Sequence, residues 1–152
     1  MGEITVIKSL LISKFNHLFL ALPNLPESFL KELSNIFNEF IWNGKPKIKQ
    51  SILEKDYEEG GLKMTYIRAF MEALKTTWIR RLILKDGGWS EIIKTNIDMN
   101  KVYHCGKHYF ENISRTCKNN FWKDTFMAFS KLISSHNVDI GNILNYPLFH
   151  KQ

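Results

Sequence analysis

A chain of 152 residues, 44% hydrophobic and 13% aromatic, carries enough apolar side chain for one cored domain, which excludes wholesale disorder. Its net charge of +6, from 21 Lys and Arg against 15 Asp and Glu, suits a polyanionic partner or a solvated basic face. Two cysteines, Cys105 and Cys117, exclude a disulfide scaffold and suit a reducing compartment, so an intracellular location, nuclear or cytoplasmic, is expected rather than secretion.

In chain order, Ile4, Ile7, Leu11, Phe15, Leu18 and Leu22 recur at steps of three and four, one stripe of an amphipathic helix that Pro23 ends. Lys8 and Lys14 interrupt its apolar run, so neither a bilayer span nor a signal peptide is expected. Asn24 and Glu27 have capping-box spacing, with Pro26 in the first turn of a second helix. That helix carries Phe29, Leu30, Leu33, Ile36, Phe37, Phe40 and Ile41, and Asn43-Gly44 followed by Pro46 ends it, with the glycine expected in the left-handed cap. The short connection predicts an antiparallel hairpin over 1–44.

Residues 45–64 are irregular. Lys45, Lys47 and Lys49 alternate with Pro46, Ile48 and Gln50, Ser51-Ile52-Leu53 allow one helical turn, and an acidic run leads to Gly60-Gly61, where the backbone needs positive φ or close approach. Thr65 is expected to cap a third helix with Ile67, Phe70, Met71, Leu74, Trp78 and Leu82 on its stripe, halted at Gly87-Gly88. On the helical wheel Arg68 and Lys75 flank one edge, Arg81 and Lys85 the other, and Arg80 lies opposite. Residues 61–85 hold six cations against Glu72 alone, which places any polyanion contact here and towards the C-terminal part. Trp89 to Ile97 read as a short helix, 98–118 fit no template, and 120–133 recover a stripe of Trp122, Thr125, Phe126, Phe129, Leu132 and Ile133. Residues 140–149 are apolar with no closing element, as in a sequence cut in mid-structure. The expected fold is all-α without a substantial sheet, in segments 1–44, 45–88 and 89–152.

Catalytic and metal signatures are weak. His104, Cys105, His108 and Cys117 are ligand types within fourteen residues, but a second paired knuckle is missing and the adjacent His104 and Cys105 point apart on any regular element. No metal or other cofactor is expected. Neither cysteine sits in a nucleophile elbow, the carboxylates at 54–59 read as a solvated loop, and neither glycine pair has phosphate-cradle spacing. Phe37, Phe40, Trp78 and Trp122 read as core. Trp42 stands beside a helix end and three lysines, where it either stacks on a base or lids the hairpin.

The segment FIWNGKPKIKQSILEKDYEEGGLKM (residues 40–64) resembles the region just beyond the reverse-transcriptase palm in the polyprotein of LINE-type non-LTR retrotransposons. VIKSLLISKF (6–15), LPNLPESFLKEL (22–33) and FWKDTFMAF (121–129) resemble further pieces of that polyprotein in the same order. The most specific elements are Phe40, Ile41, Trp42 and Asn43, then Gly60, Gly61 and Leu62. Thr65 and Tyr66 stand where the family has Pro-Asp. The resemblance implies a helical end of the polymerase thumb followed by the connector, or wrist, that helps hold template RNA and primed duplex. The palm with its metal-binding aspartates and the endonuclease are missing, so no catalysis is expected from this chain alone. Lys45, Lys47, Lys49, Arg68, Lys75, Arg80 and Arg81 are the expected phosphate contacts, with RNA or an RNA/DNA hybrid as partner, the missing palm and fingers as a partner in trans, and no membrane. The alternative is a protein-interaction module or inert relic whose exposed apolar faces self-associate.

Overall fold

The structure is a computed structural model that describes residues 2–84, 87–94 and 97–136. Among these residues the chain forms helices and turns and no strand, so the fold is all-α. The helices are α1 (Gly2–Ala21), α2 (Glu27–Trp42), α3 (Gln50–Leu53), α4 (Ile67–Ile83), α5 (Trp89–Lys94), α6 (Met99–Thr116) and α7 (Asn120–His136). They divide into two compact units, one of residues 2–20 with 24–71 and one of residues 21–23 with 72–136. The division falls inside α4, whereas the sequence suggested breaks after residues 44 and 88. The expectations for Lys85 and for residues 140–149 lie outside the described residues.

In the first unit, α1 is not a uniform α-helix. Ile7–Ile12 form a π-helical stretch, within which the Ser9 hydroxyl donates back to the Thr5 carbonyl and after which the Ser13 hydroxyl donates back to the Ser9 carbonyl. The wider turn advances the buried face by one residue. Ile4, Ile7, Ile12 and Phe19 are buried, while Leu18 and Leu22, expected on the stripe, are exposed. At twenty residues α1 also has the length and composition of a membrane-crossing helix, so Lys8 and Lys14 do not exclude that on their own. Its first turn packs against α2.

The start of α2 also differs from expectation. Pro26 is the N-cap, no side chain caps the helix, and Glu27 pairs with Arg68 instead of closing a capping box. Leu30, Leu33 and Phe37 face the core. The apolar face is wider than the core that covers it: Phe29, Ile36 and Phe40 remain 43%, 53% and 48% exposed. At the other end Asn43, not the glycine, takes the left-handed conformation (φ 48°), which asparagine tolerates best after glycine.

Leu53, Met64, Ile67 and Met71 complete the buried apolar residues of this unit. The excursion between Leu53 and Met64 closes on itself. The Leu53 carbonyl accepts the Met64 N–H at 2.8 Å and the Leu62 N–H at 3.2 Å, and the Lys55 carbonyl accepts the Lys63 N–H at 2.9 Å. Gly60 and Gly61 satisfy the two sequence alternatives separately. Gly60 supplies the positive φ (76°), and Gly61 the close approach, since a Cβ there would lie 2.0 Å from the Lys55 carbonyl oxygen.

The second unit is built on the pairing of α6 with α7. Ile79, Leu82, Ile97, Val102, Phe110, Phe126 and Phe129 form its buried core, with Phe110 edge-on to Phe129 at 4.7 Å between centroids. Residues 98–118, which fit no template, hold α6. Gly106 (φ 53°, ψ −134°) kinks it, so no single period runs through the segment. Past the kink, Phe110, Ile113, Ser114 and Cys117 follow helical spacing, but the wholly buried Ser114 hid that stripe; its hydroxyl donates to the Glu111 carbonyl at 2.7 Å. The Asn119 side chain caps α7 by accepting the Trp122 N–H at 3.2 Å.

Candidate functional site

The expected cation set separates into different environments. Lys45, Lys47 and Lys49 are all exposed on the turn that Asn43 and Gly44 (φ 139°) make out of α2. Among the described residues none of the three forms an ion pair, and Lys47 Nζ lies 5.9 Å from the centre of the Trp42 ring. Trp42 itself is half-buried, and its indole N–H is buried without a hydrogen-bond partner, so the ring both lids the end of α2 and meets a lysine. Below the turn, the Asn38 amide donates to Gln50 at 2.9 Å, and Gln50 donates to Glu54 at 2.8 Å, which fixes α3 to α2.

Arg68 is half-buried and paired with Glu27 in the same unit. Arg80 is exposed. Arg81 is half-buried, with its guanidinium 4.9 Å over the Trp78 ring.

Lys75 is a correction. It was expected at the edge of the α4 stripe, but Ile79 recentres that stripe and leaves Lys75 in the middle of the buried face, with 0% of its surface exposed. Its ammonium donates to the Leu22 carbonyl and sits 4.0 Å from the Phe121 ring centre. Burial pushes its pKa down to about 8, opposed by the carboxylate of Asp124. A lysine in that position does not reach a phosphate.

The motif residues turn out to be largely conformational. Asn43, Gly60 and Gly61 each hold a backbone geometry that most side chains resist, and Leu62 donates its N–H to Leu53. Phe40 is exposed and Ile41 half-buried. Of the ligand types, His104, Cys105 and His108 are exposed and Cys117 is half-buried; the Gly106 kink separates the first two from the others. Among the described residues no three His, Cys, Asp or Glu side chains are grouped as a metal site.

Sequence reasoning missed one cluster. Trp78 and Trp122, read as core, are half-buried and join Trp89 and Phe121 around an open cleft of about 480 Å³ in the second unit. The Gly87-Gly88 turn delivers Trp89 to it. Gly87 has φ 90°, and a Cβ there would come within 3.1 Å of the Trp89 ring, so only glycine lets the indole fold back. Trp89 stacks with Trp122 (5.7 Å, 23°), and Trp78 stands edge-on to Trp89 (5.3 Å, 80°) and to Phe121 (5.7 Å, 85°). The adjacent pair Phe121-Trp122 was the available signal, because two neighbours on a helix point about 100° apart and cannot both face the centre of a core. No family model matches the chain, and no solved structure matches it.

Proposed function

We propose that this chain is a non-catalytic piece of a LINE-type reverse transcriptase, from the thumb and wrist, that holds RNA or an RNA/DNA hybrid by its backbone without reading sequence. The observation that carries the reading is the turn after α2, where Lys45, Lys47 and Lys49 stand exposed beside the Trp42 ring. Point charges on a short loop with an aromatic at its base suit phosphates of a single strand. The resemblance adds support because three of its seven most specific residues, Asn43, Gly60 and Gly61, are ones whose backbone geometry or close packing shapes this region. Arg80 and, at partial exposure, Arg81 supply positive charge within the second unit, whereas the charge of Arg68 is met by Glu27. The palm and fingers of such an enzyme are partners in trans.

The test is binding of single-stranded RNA as a function of salt. Each phosphate contact on a single strand contributes about 0.7 to the slope of log K against log salt, so replacing all three loop lysines by glutamine lowers the slope by roughly 2. Absence of binding at low salt, or a slope the triple variant leaves unchanged, refutes the reading.

The uncovered stripe of Phe29, Ile36 and Phe40 favours a second reading, a module that self-associates or docks on a protein partner. Light scattering after size exclusion separates the two, since a monomer at all concentrations removes self-association.

A further inference from the structure

We propose that the aromatic cleft of the second unit binds a nucleobase joined to a phosphate, the base lying against the cleft-facing sides of the packed Trp78, Trp89 and Trp122 rings and the phosphate meeting Arg81. Three observations point to that ligand. The walls are π-faces and edges of three indoles and one phenyl ring, and they border an open cleft of about 480 Å³, room enough for one base. The rings are only half-buried although each is large enough to anchor a core, so part of each aromatic surface faces the cleft rather than protein.

Charge then selects among flat ligands. The cleft lining includes the Arg81 guanidinium and no carboxylate. An aromatic cage without a cation suits a quaternary ammonium group, but a guanidinium already lying 4.9 Å over Trp78 repels one. A planar ring that carries a negative group satisfies both features, and a nucleotide is the common ligand of that description. Stacking tolerates any base, because every base presents a π-face. The site is separate from the lysine turn of the first unit, and it rests on the proposed function only for whether the base belongs to a strand or to a free nucleotide.

Three of the four tryptophans line the cleft and the fourth, Trp42, stands at the lysine turn, so intrinsic fluorescence of the full chain carrying Trp42→Phe reports the occupancy of the cleft alone. The probes are adenosine monophosphate, a short oligoadenylate and an abasic oligonucleotide of the same length. Saturable quenching by the oligoadenylate alone assigns the site to a strand, by the monophosphate alone to a free nucleotide, and by both to the base and phosphate wherever they occur; each supports the site. Trp89→Ala and Arg81→Gln are each expected to weaken binding about tenfold, with Trp89→Phe close to wild type because a stacking ring is kept. Far-UV circular dichroism checks the fold of every variant, and Arg81→Gln and Trp89→Phe keep the test informative if Trp89→Ala does not fold. Equal binding of the abasic strand, no quenching by either base-containing probe, or wild-type affinity in a folded Arg81→Gln overturns the proposal. Those outcomes leave the lysine turn untouched, since its test is the salt slope of the triple lysine variant.

Discussion

Replacing Lys75 by methionine isolates the energetic consequence of a fully buried ammonium. In the folded chain burial pushes the pKa of Lys75 from an ordinary 10.5 down to about 8. At about 1.36 kcal/mol per unit, the charged form costs the native state roughly 3 kcal/mol. The sign follows from proton counts. Between pH 8 and 10.5 the unfolded chain holds a proton that the folded chain has released, so stability rises with pH across that window. Below pH 8 both states are protonated and the full cost is present. Methionine is similar in length and removes the charge, but it leaves the Leu22 carbonyl without its donor, a loss of about 1 kcal/mol. The variant is therefore about 2 kcal/mol more stable than wild type at pH 7, and the difference falls through zero near pH 10. Urea unfolding of both proteins at pH 7, 8, 9 and 10 measures it, and titration of the remaining groups cancels in the difference. A difference that stays constant with pH refutes the assignment of Lys75 as a buried, charge-penalised residue.

Three further outcomes follow from the same geometry. Gly61→Ala forces a Cβ against the Lys55 carbonyl and should destabilise the chain by about 2–3 kcal/mol, whereas Gly60→Ala meets open space and loses about 1 kcal/mol to its positive φ; thermal denaturation ranks the two. Asn119→Ala removes the hydrogen bond to the Trp122 N–H and should lower stability by about 1 kcal/mol, read from the urea midpoint at an unchanged m-value. Ile36→Glu on the exposed face of α2 should shift stability by less than about 0.5 kcal/mol and abolish any concentration-dependent increase in mass seen by light scattering; a mass increase that persists places the contact elsewhere.

Helical periodicity made the all-α class and the span of α2 legible, because an apolar step of three or four is a direct image of the helix. What it could not show were departures from that period. The π-helical stretch of α1 adds a residue to a turn and exchanges Leu18 for Phe19 on the buried face. Gly106 breaks α6 at a point where both halves are short, and a buried serine among the apolar positions masks the second half. Lys75 was misplaced for a related reason: a cation counts as solvent-facing in any pattern, while its four-carbon stem and a nearby carbonyl allow it to be buried. The lysine turn was legible because three cations alternating with Pro46, Ile48 and Gln50 just after Gly44 have no core to enter. The tryptophan cleft was not, since aromatic residues at helical spacing read equally as wall or as interior.

The wide turn in α1 makes that helix tolerant of a change in length. A π-helix takes about 4.4 residues per turn, so the six residues from Ile7 to Ile12 rotate the chain by nearly the angle that five residues of α-helix would. A chain that lost one residue within this stretch would keep Ile4 and Phe19 on their present sides by becoming regular. Helices seldom accept such a loss without turning everything beyond it through about 100°. Here a missing codon is absorbed locally, and residues 13–21 keep their orientation.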